Sequence, residues 1–112
     1  MTRKVLMPIY HEAVAPRFDL ATEVVLAEFG EHDGGIKKEK VMILPGPSAE
    51  KMCHMIITEG VDAVICGGIE EEFYDYLTWK RIQVIDDVIG PGRAVLERFA
   101  RGDLSRGDIV TP

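Results

Sequence analysis

SAEKMCHMIITEGVDAVICGGIEEEFYDYLTWKRIQVI, residues 48–85, is the stretch that decides the fold. Ser48 has the side chain of a helix N-cap, and Glu50 stands in the first turn, where a carboxylate opposes the helix dipole. Met52, Met55, Ile56 and Glu59 follow at i, i+3, i+4 spacing, and Gly60 supplies the stop. Val61 to Cys66 is apolar except for Asp62 and ends at Gly67-Gly68. Glu70 to Lys80 reads as a second helix with Phe73 and Leu77 on one face, and Ile82 to Ile85 as a short strand. Helix, strand, helix and strand in beats of about ten residues are the pattern of parallel crossover units. A third helix is expected from Pro91, at the first helical position, to Ala100, with Gly102 as its stop and Val95 and Phe99 on its buried face.

Upstream, Val5 to Tyr10 is a continuous apolar run, as expected of a strand buried on both faces, and Pro8 within it suggests a bulge or a missing ladder donor. Leu20 to Phe29 can be read either way by local propensity, because Leu20-Ala21-Thr22-Glu23 favours helix and Val24-Val25-Leu26 favours strand. The turn residues from Gly30 to Gly35 and the apolar end of Ile36 to Leu44 make the two segments a hairpin. The expected order is therefore β-β-β-α-β-α-β-α: a mixed five-stranded sheet with three early antiparallel strands, two later parallel ones and three flanking helices.

A chain of 112 residues with 46% hydrophobic and 29% charged residues has the composition and length of one domain. We place that domain at residues 1–104 and read Ser105 to Pro112 as a polar tail that frays. The net charge of -6 repels polyphosphate and anionic lipid, so neither nucleic acid nor membrane is an expected partner. The apolar run near the N-terminus is shorter than a signal-peptide core, and nothing approaches the roughly 18 residues of a membrane span. A cytoplasmic location is expected, with Cys53 and Cys66 reduced, since they match no disulfide framework or C-x-x-C pair.

The order and spacing of three segments carry a resemblance: Val5 to Tyr10 with Val14-Ala15-Pro16-Arg17-Phe18-Asp19, then Gly60 to Ile69, then Arg98 to Leu104. Together they resemble the dinitrogenase iron-molybdenum cofactor biosynthesis family over nearly the whole chain. The resemblance implies a ribonuclease H-like α/β fold and a non-catalytic role in binding or carrying a metal cofactor. It implies metallocluster-assembly proteins as partners and leaves room for a homodimer. Two positions depart from the family: Arg17 stands where cluster-handling members often have His, and Glu70-Glu71-Glu72 follow the Gly-Gly-Ile turn where many members continue with Gly. Three carboxylates at a helix start repel an anionic cluster.

If the first and fourth strands are parallel neighbours, as the family fold implies, His11 and Cys66 both lie at the carboxyl ends of strands, where open α/β sheets bind ligands. A thiolate and an imidazole could hold iron, copper or a cluster edge, whether the ligand is a Mo/Fe-type metallocluster or a single ion. His11, Arg17, Cys66, Gly67 and Gly68 form the expected cofactor site, with His11 and Cys66 as metal ligands. The plain alternative is a buried structural thiol and a solvated loop histidine. Cys53 and His54 are neighbours about 100° apart on one helix and cannot chelate together. His32 belongs to the hairpin turn, and Arg93 is expected to add positive charge beside Arg17. Met7, Met42, Met52 and Met55 read as core filler.

Tyr74, Tyr76 and Trp79 crowd the second helix and suit a protein interface, which defines the alternative reading of an interaction module without metal. An enzyme is the weakest of the three. A nuclease of ribonuclease H type needs carboxylates converging on Mg²⁺, and the first strand has none.

Overall fold

The computed structural model describes residues 2–30 and 34–112, so the expected place of His32 lies outside the described residues. Strands β1 (Arg3–Tyr10), β2 (Ala13–Val14), β3 (Glu23–Phe29) and β4 (Ile36–Ile43) are followed by α1 (Ala49–Thr58), β5 (Ala63–Ile65), α2 (Glu71–Trp79), β6 (Gln83–Ile85) and α3 (Gly92–Ala100). Three helices and a mixed sheet match the expected class. The sheet has six strands, however, not five, in the order β4-β3-β1-β5-β6 with β2 paired to β1.

The added strand has a local cause. Tyr10 pairs with Ala13, leaving His11 and Glu12 as a two-residue hairpin loop, and both have positive φ, 50° and 65°. That is the backbone a type I′ turn requires, usually met with Asn-Gly. With a His-Glu pair there, nothing in the sequence announces the turn.

β1, β3 and β4 are antiparallel, and β5 and β6 run parallel to β1, so the ambiguous segment from 20 to 29 resolves as strand. Pairing decides it: every residue of β3 faces a partner in β1, and Val24, Leu26, Val25 and Ala27 feed alternate faces of the sheet. Pro8 causes no bulge, because the β1–β3 register runs through it unbroken. Its carbonyl accepts from Ala15 N–H at 2.9 Å, on the side away from β3, so the missing N–H falls where the β5 pairing has already ended. The irregularity lies instead at Glu28/Phe29.

Two apolar layers enclose the sheet. Leu6, Val24, Leu26 and Val64 pack with Met52 and Ile56 of α1 and Leu77 of α2, while Val5, Met7, Ala27 and Ile65 pack with Val95, Leu96 and Phe99 of α3. α1 begins as the sequence indicates, with Ser48 Oγ accepting from Lys51 N–H at 3.1 Å. Pro91 serves as the N-cap of α3, one place before the helical position expected of it.

The polar tail is not frayed. Ile109 bridges Ile89 in parallel, Val110 is buried in the α3-side core, and Gly107 N–H donates to the Asp86 carbonyl at 3.0 Å. Arg106 donates to the carboxylate of Asp86, the one charged side chain buried among the described residues, and stacks 4.7 Å over the Tyr74 ring. A buried carboxylate requires such a partner, and the segment supplies it.

Candidate functional site

The carboxyl ends of β1, β5 and β6 are followed by the connections 11–22 (which includes β2), 66–70 and 86–91, and the expected site residues all belong to the first two. Only part of the expected site comes together.

Cys66 follows β5 and is 0% exposed, packed in the core with Phe18 and Leu77. Burial, and then the carboxylates of Asp86 and Asp87, push its thiol up to about 12, so it stays protonated at neutral pH. The first loop closes over the Gly67 side of the following turn. A Cβ on Gly67 would lie 2.4 Å from the Ala15 carbonyl oxygen and 2.6 Å from that of Pro16. Gly68 N–H donates to the Pro16 carbonyl at 2.7 Å, and the Gly68 carbonyl accepts from Phe18 N–H at 2.8 Å. Gly67 is required because the chain's own first loop lies against it, whereas a Cβ on Gly68 would meet the Pro16 oxygen only at 3.4 Å. At this turn, then, the Cys66 thiol is buried and the first loop lies against Gly67.

His11 is different. It is exposed at the tip of the β1–β2 turn, its ring 4.1 Å from that of Tyr10 in an edge-on arrangement. Non-glycine residues in the left-handed region cost of order 1–3 kcal/mol each, and two successive ones here put an imidazole outward where Asn-Gly would be easier. Tyr10 in turn borders a shallow hollow of about 210 Å³ shared with Pro16, Arg17 and Leu20, and both Tyr10 and Leu20 are 63% exposed. Arg17 bridges by backbone to Gly68, and its Nε and Nη2 hold Asp19 at 3.0 and 3.1 Å.

Arg93 does not join this edge; it pairs with Glu39 of β4 at 2.8 Å, across the α3-side groove. Cys53 is buried, its thiol raised to about 11 by burial and then by Glu50, while His54 is exposed. Among the described residues no three His, Cys, Asp or Glu side chains are placed to hold a metal ion. α2 has Glu70 as its N-cap residue, with no side-chain cap bond, and Glu71 and Glu72 in its first turn, so carboxylates stand beside the turn that Arg17 adjoins.

The arrangement missed by sequence reasoning is the pair formed by the strained His11 turn and the Tyr10 hollow. Its signal was faint: an aromatic-imidazole pair directly ending an apolar strand.

A three-layer α/β protein with a mixed sheet and its loops gathered at the strands' carboxyl ends is the class these features define. The chain belongs to the dinitrogenase iron-molybdenum cofactor family, whose model matches residues 3–102. Similar solved structures share the fold. The crystal structure of PH0822 is 21% identical with a TM-score of 0.81, covering 92% of this chain and 93% of that one. A Methanocaldococcus jannaschii protein provisionally described as a dinitrogenase is 22% identical with a TM-score of 0.75, covering 94% of each chain. A Thermotoga protein provisionally described as NifB is 16% identical with a TM-score of 0.66, covering 93% and 92%. No curated protein matches the chain in sequence. No described helix is long and apolar enough to cross a membrane.

Proposed function

We infer that this chain is a non-catalytic binding protein that receives a preassembled metal-sulfur cluster as cargo at the carboxyl end of β1, and that its fold is of the ribonuclease H-like kind. The observation that carries the reading is the exposed imidazole of His11, held outward by two successive left-handed residues. Cys66 has no part in this reading, because its side chain is fully buried in the core with Phe18 and Leu77. A single imidazole cannot chelate a bare ion, which asks for three or four donors. It can bind a species whose remaining positions are already filled by its own sulfides, and this favours a preformed cluster over a free metal. Membership of a family named for the iron-molybdenum cofactor supports the same cargo.

The other residues have plain roles in this reading. Tyr10 and Leu20 offer apolar surface that sheds water on contact. Arg17 can leave Asp19 for an anionic cargo at little cost, since exposed ion pairs are worth about 0–1 kcal/mol. Glu70 to Glu72 oppose a strongly anionic cargo, so Arg17 is needed as an offset. With no carboxylate on β1, the strand lacks the first acid of a two-metal nuclease, in keeping with a carrier role.

Anaerobic reconstitution with a preassembled cluster, followed by gel filtration and iron and molybdenum analysis, tests the assignment. His11→Ala should lose most of the retained metal and Cys66→Ser should keep it. Retention unchanged in His11→Ala, or lost in a folded Cys66→Ser, overturns the reading.

A further inference from the structure

On the face of the sheet away from α3, α1 and α2 lie side by side and leave a groove of about 470 Å³ between them. Its lining comes from one stripe of each helix: Glu50, Cys53, His54 and Ile57 at i, i+3, i+4 and i+7 on α1, and Glu72, Phe73 and Tyr76 on α2. The middle of the groove is apolar or aromatic, and each wall carries one glutamate. Beyond Tyr76 the stripe continues to Trp79, the chain's one tryptophan, which is 74% exposed with its ring 6.4 Å from that of Tyr76.

We propose that this groove docks an amphipathic helical segment of a partner protein, with apolar anchors on one face and lysine or arginine flanking them. Charge complementarity selects the basic partner. Glu50 and Glu72 face the groove from opposite walls, and Glu70, Glu71 and Asp75 extend the negative field along α2. The anchors select the helix. α1 and α2, of ten and nine residues, give a trough about 15 Å long at 1.5 Å per residue, the length of two to three helical turns. Apolar side chains at i, i+4 and i+7 of an incoming helix would reach Ile57, Phe73 and Tyr76 in turn. Trp79, one turn beyond Tyr76, is 74% exposed with Lys80 Nζ 5.0 Å over its ring, so the negative groove ends at one lysine and an aromatic surface that gains from being covered. The site is separate from His11, so its failure leaves the cargo reading untouched.

The probe is a synthetic helical peptide of about four turns with leucine at i, i+3, i+4 and i+7 and lysine elsewhere, beside an otherwise identical leucine-glutamate peptide. Binding to the full chain is followed by the blue shift of Trp79 emission and by titration calorimetry. The lysine peptide should bind, and the glutamate peptide should bind at least tenfold more weakly. Glu50→Lys with Glu72→Lys, checked for native circular dichroism, should weaken the lysine peptide at least tenfold, and Tyr76→Ala should do so at high salt as well. Glu23→Lys with Glu97→Lys, of the same charge change on other surfaces, should leave affinity within about twofold. Equal loss in that control, equal binding of the two peptides, or dimerisation of the chain through this groove in sedimentation overturns the proposal.

Discussion

Gly67→Ala is the most direct probe of how the first loop closes the end of the sheet. The added methyl would stand 2.4 Å from the Ala15 carbonyl oxygen and 2.6 Å from that of Pro16, both backbone atoms that no rotamer change can move. Relief requires the loop to withdraw by about 1 Å, the gap between 2.4 Å and the 3.4 Å of ordinary contact. The two hydrogen bonds at Gly68, of 2.7 and 2.8 Å, would then be stretched, and Phe18, 1% exposed, would lose its seat. At about 1 kcal/mol per bond and about 1–2 kcal/mol for overpacking, the loss is about 3–4 kcal/mol. With a urea slope of about 2 kcal/mol per M, the unfolding midpoint should fall by about 1.5–2 M. Gly68→Ala is the internal control: its Cβ would meet the Pro16 oxygen at 3.4 Å, and its cost should stay under about 1 kcal/mol. A Gly67→Ala midpoint within about 0.3 M of the parent, or one higher than that of Gly68→Ala, would refute the account of the turn as chain against chain.

Three further outcomes are expected. Cys66 keeps its proton in the folded state up to about 12 while the unfolded thiol ionises near 9.0, so stability should be full below pH 9 and fall as pH rises toward 12. Urea melts from pH 8 to 11 should show a shallower fall for Cys66→Ala than for the parent, and parallel curves would contradict the burial of the thiol. Replacing His11-Glu12 by Asn-Gly should relieve the left-handed strain and stabilise the protein by about 1 kcal/mol while abolishing cluster retention; a destabilised variant would show that the turn is not strained as described. Arg106→Ala should speed amide exchange at Ile89 and Val110 by about tenfold or more, because Ile89 N–H donates to the Asp108 carbonyl and Val110 N–H to the Ile89 carbonyl, and both bonds depend on the segment that Arg106 fastens to Asp86; unchanged protection would assign the docking to Val110 alone.

The parallel half of the fold was legible because its signals are local. Ser48, Gly60 and the Gly67-Gly68 pair punctuate apolar runs of distinct period, and each boundary follows from a cap or a break. The segment from 20 to 29 was ambiguous because its state is set by β1, some 20 residues away, rather than by its own propensity. The hairpin at His11-Glu12 and the docking of Arg106 were illegible for two different reasons: one is a turn built from residues that do not favour it, the other an ion pair between positions 20 apart. Cys66 was placed at the right strand end. Sequence could not tell that the Ala15-Pro16 backbone already occupies the space beside it, since close approach of main chain leaves no mark except a glycine that serves equally well to admit a ligand.

The return of residues 105–110 to the β6 end has a practical consequence for anyone trimming this chain. The family match stops at residue 102, but the packed structure continues to Val110. A fragment cut at that boundary would leave the Asp86 carboxylate in an apolar wall without its guanidinium, and would uncover the part of the α3-side core that Val110 closes. Such a fragment should be the sticky, poorly expressed version of the domain, and residues lying outside the family match are ones a shortened chain should keep.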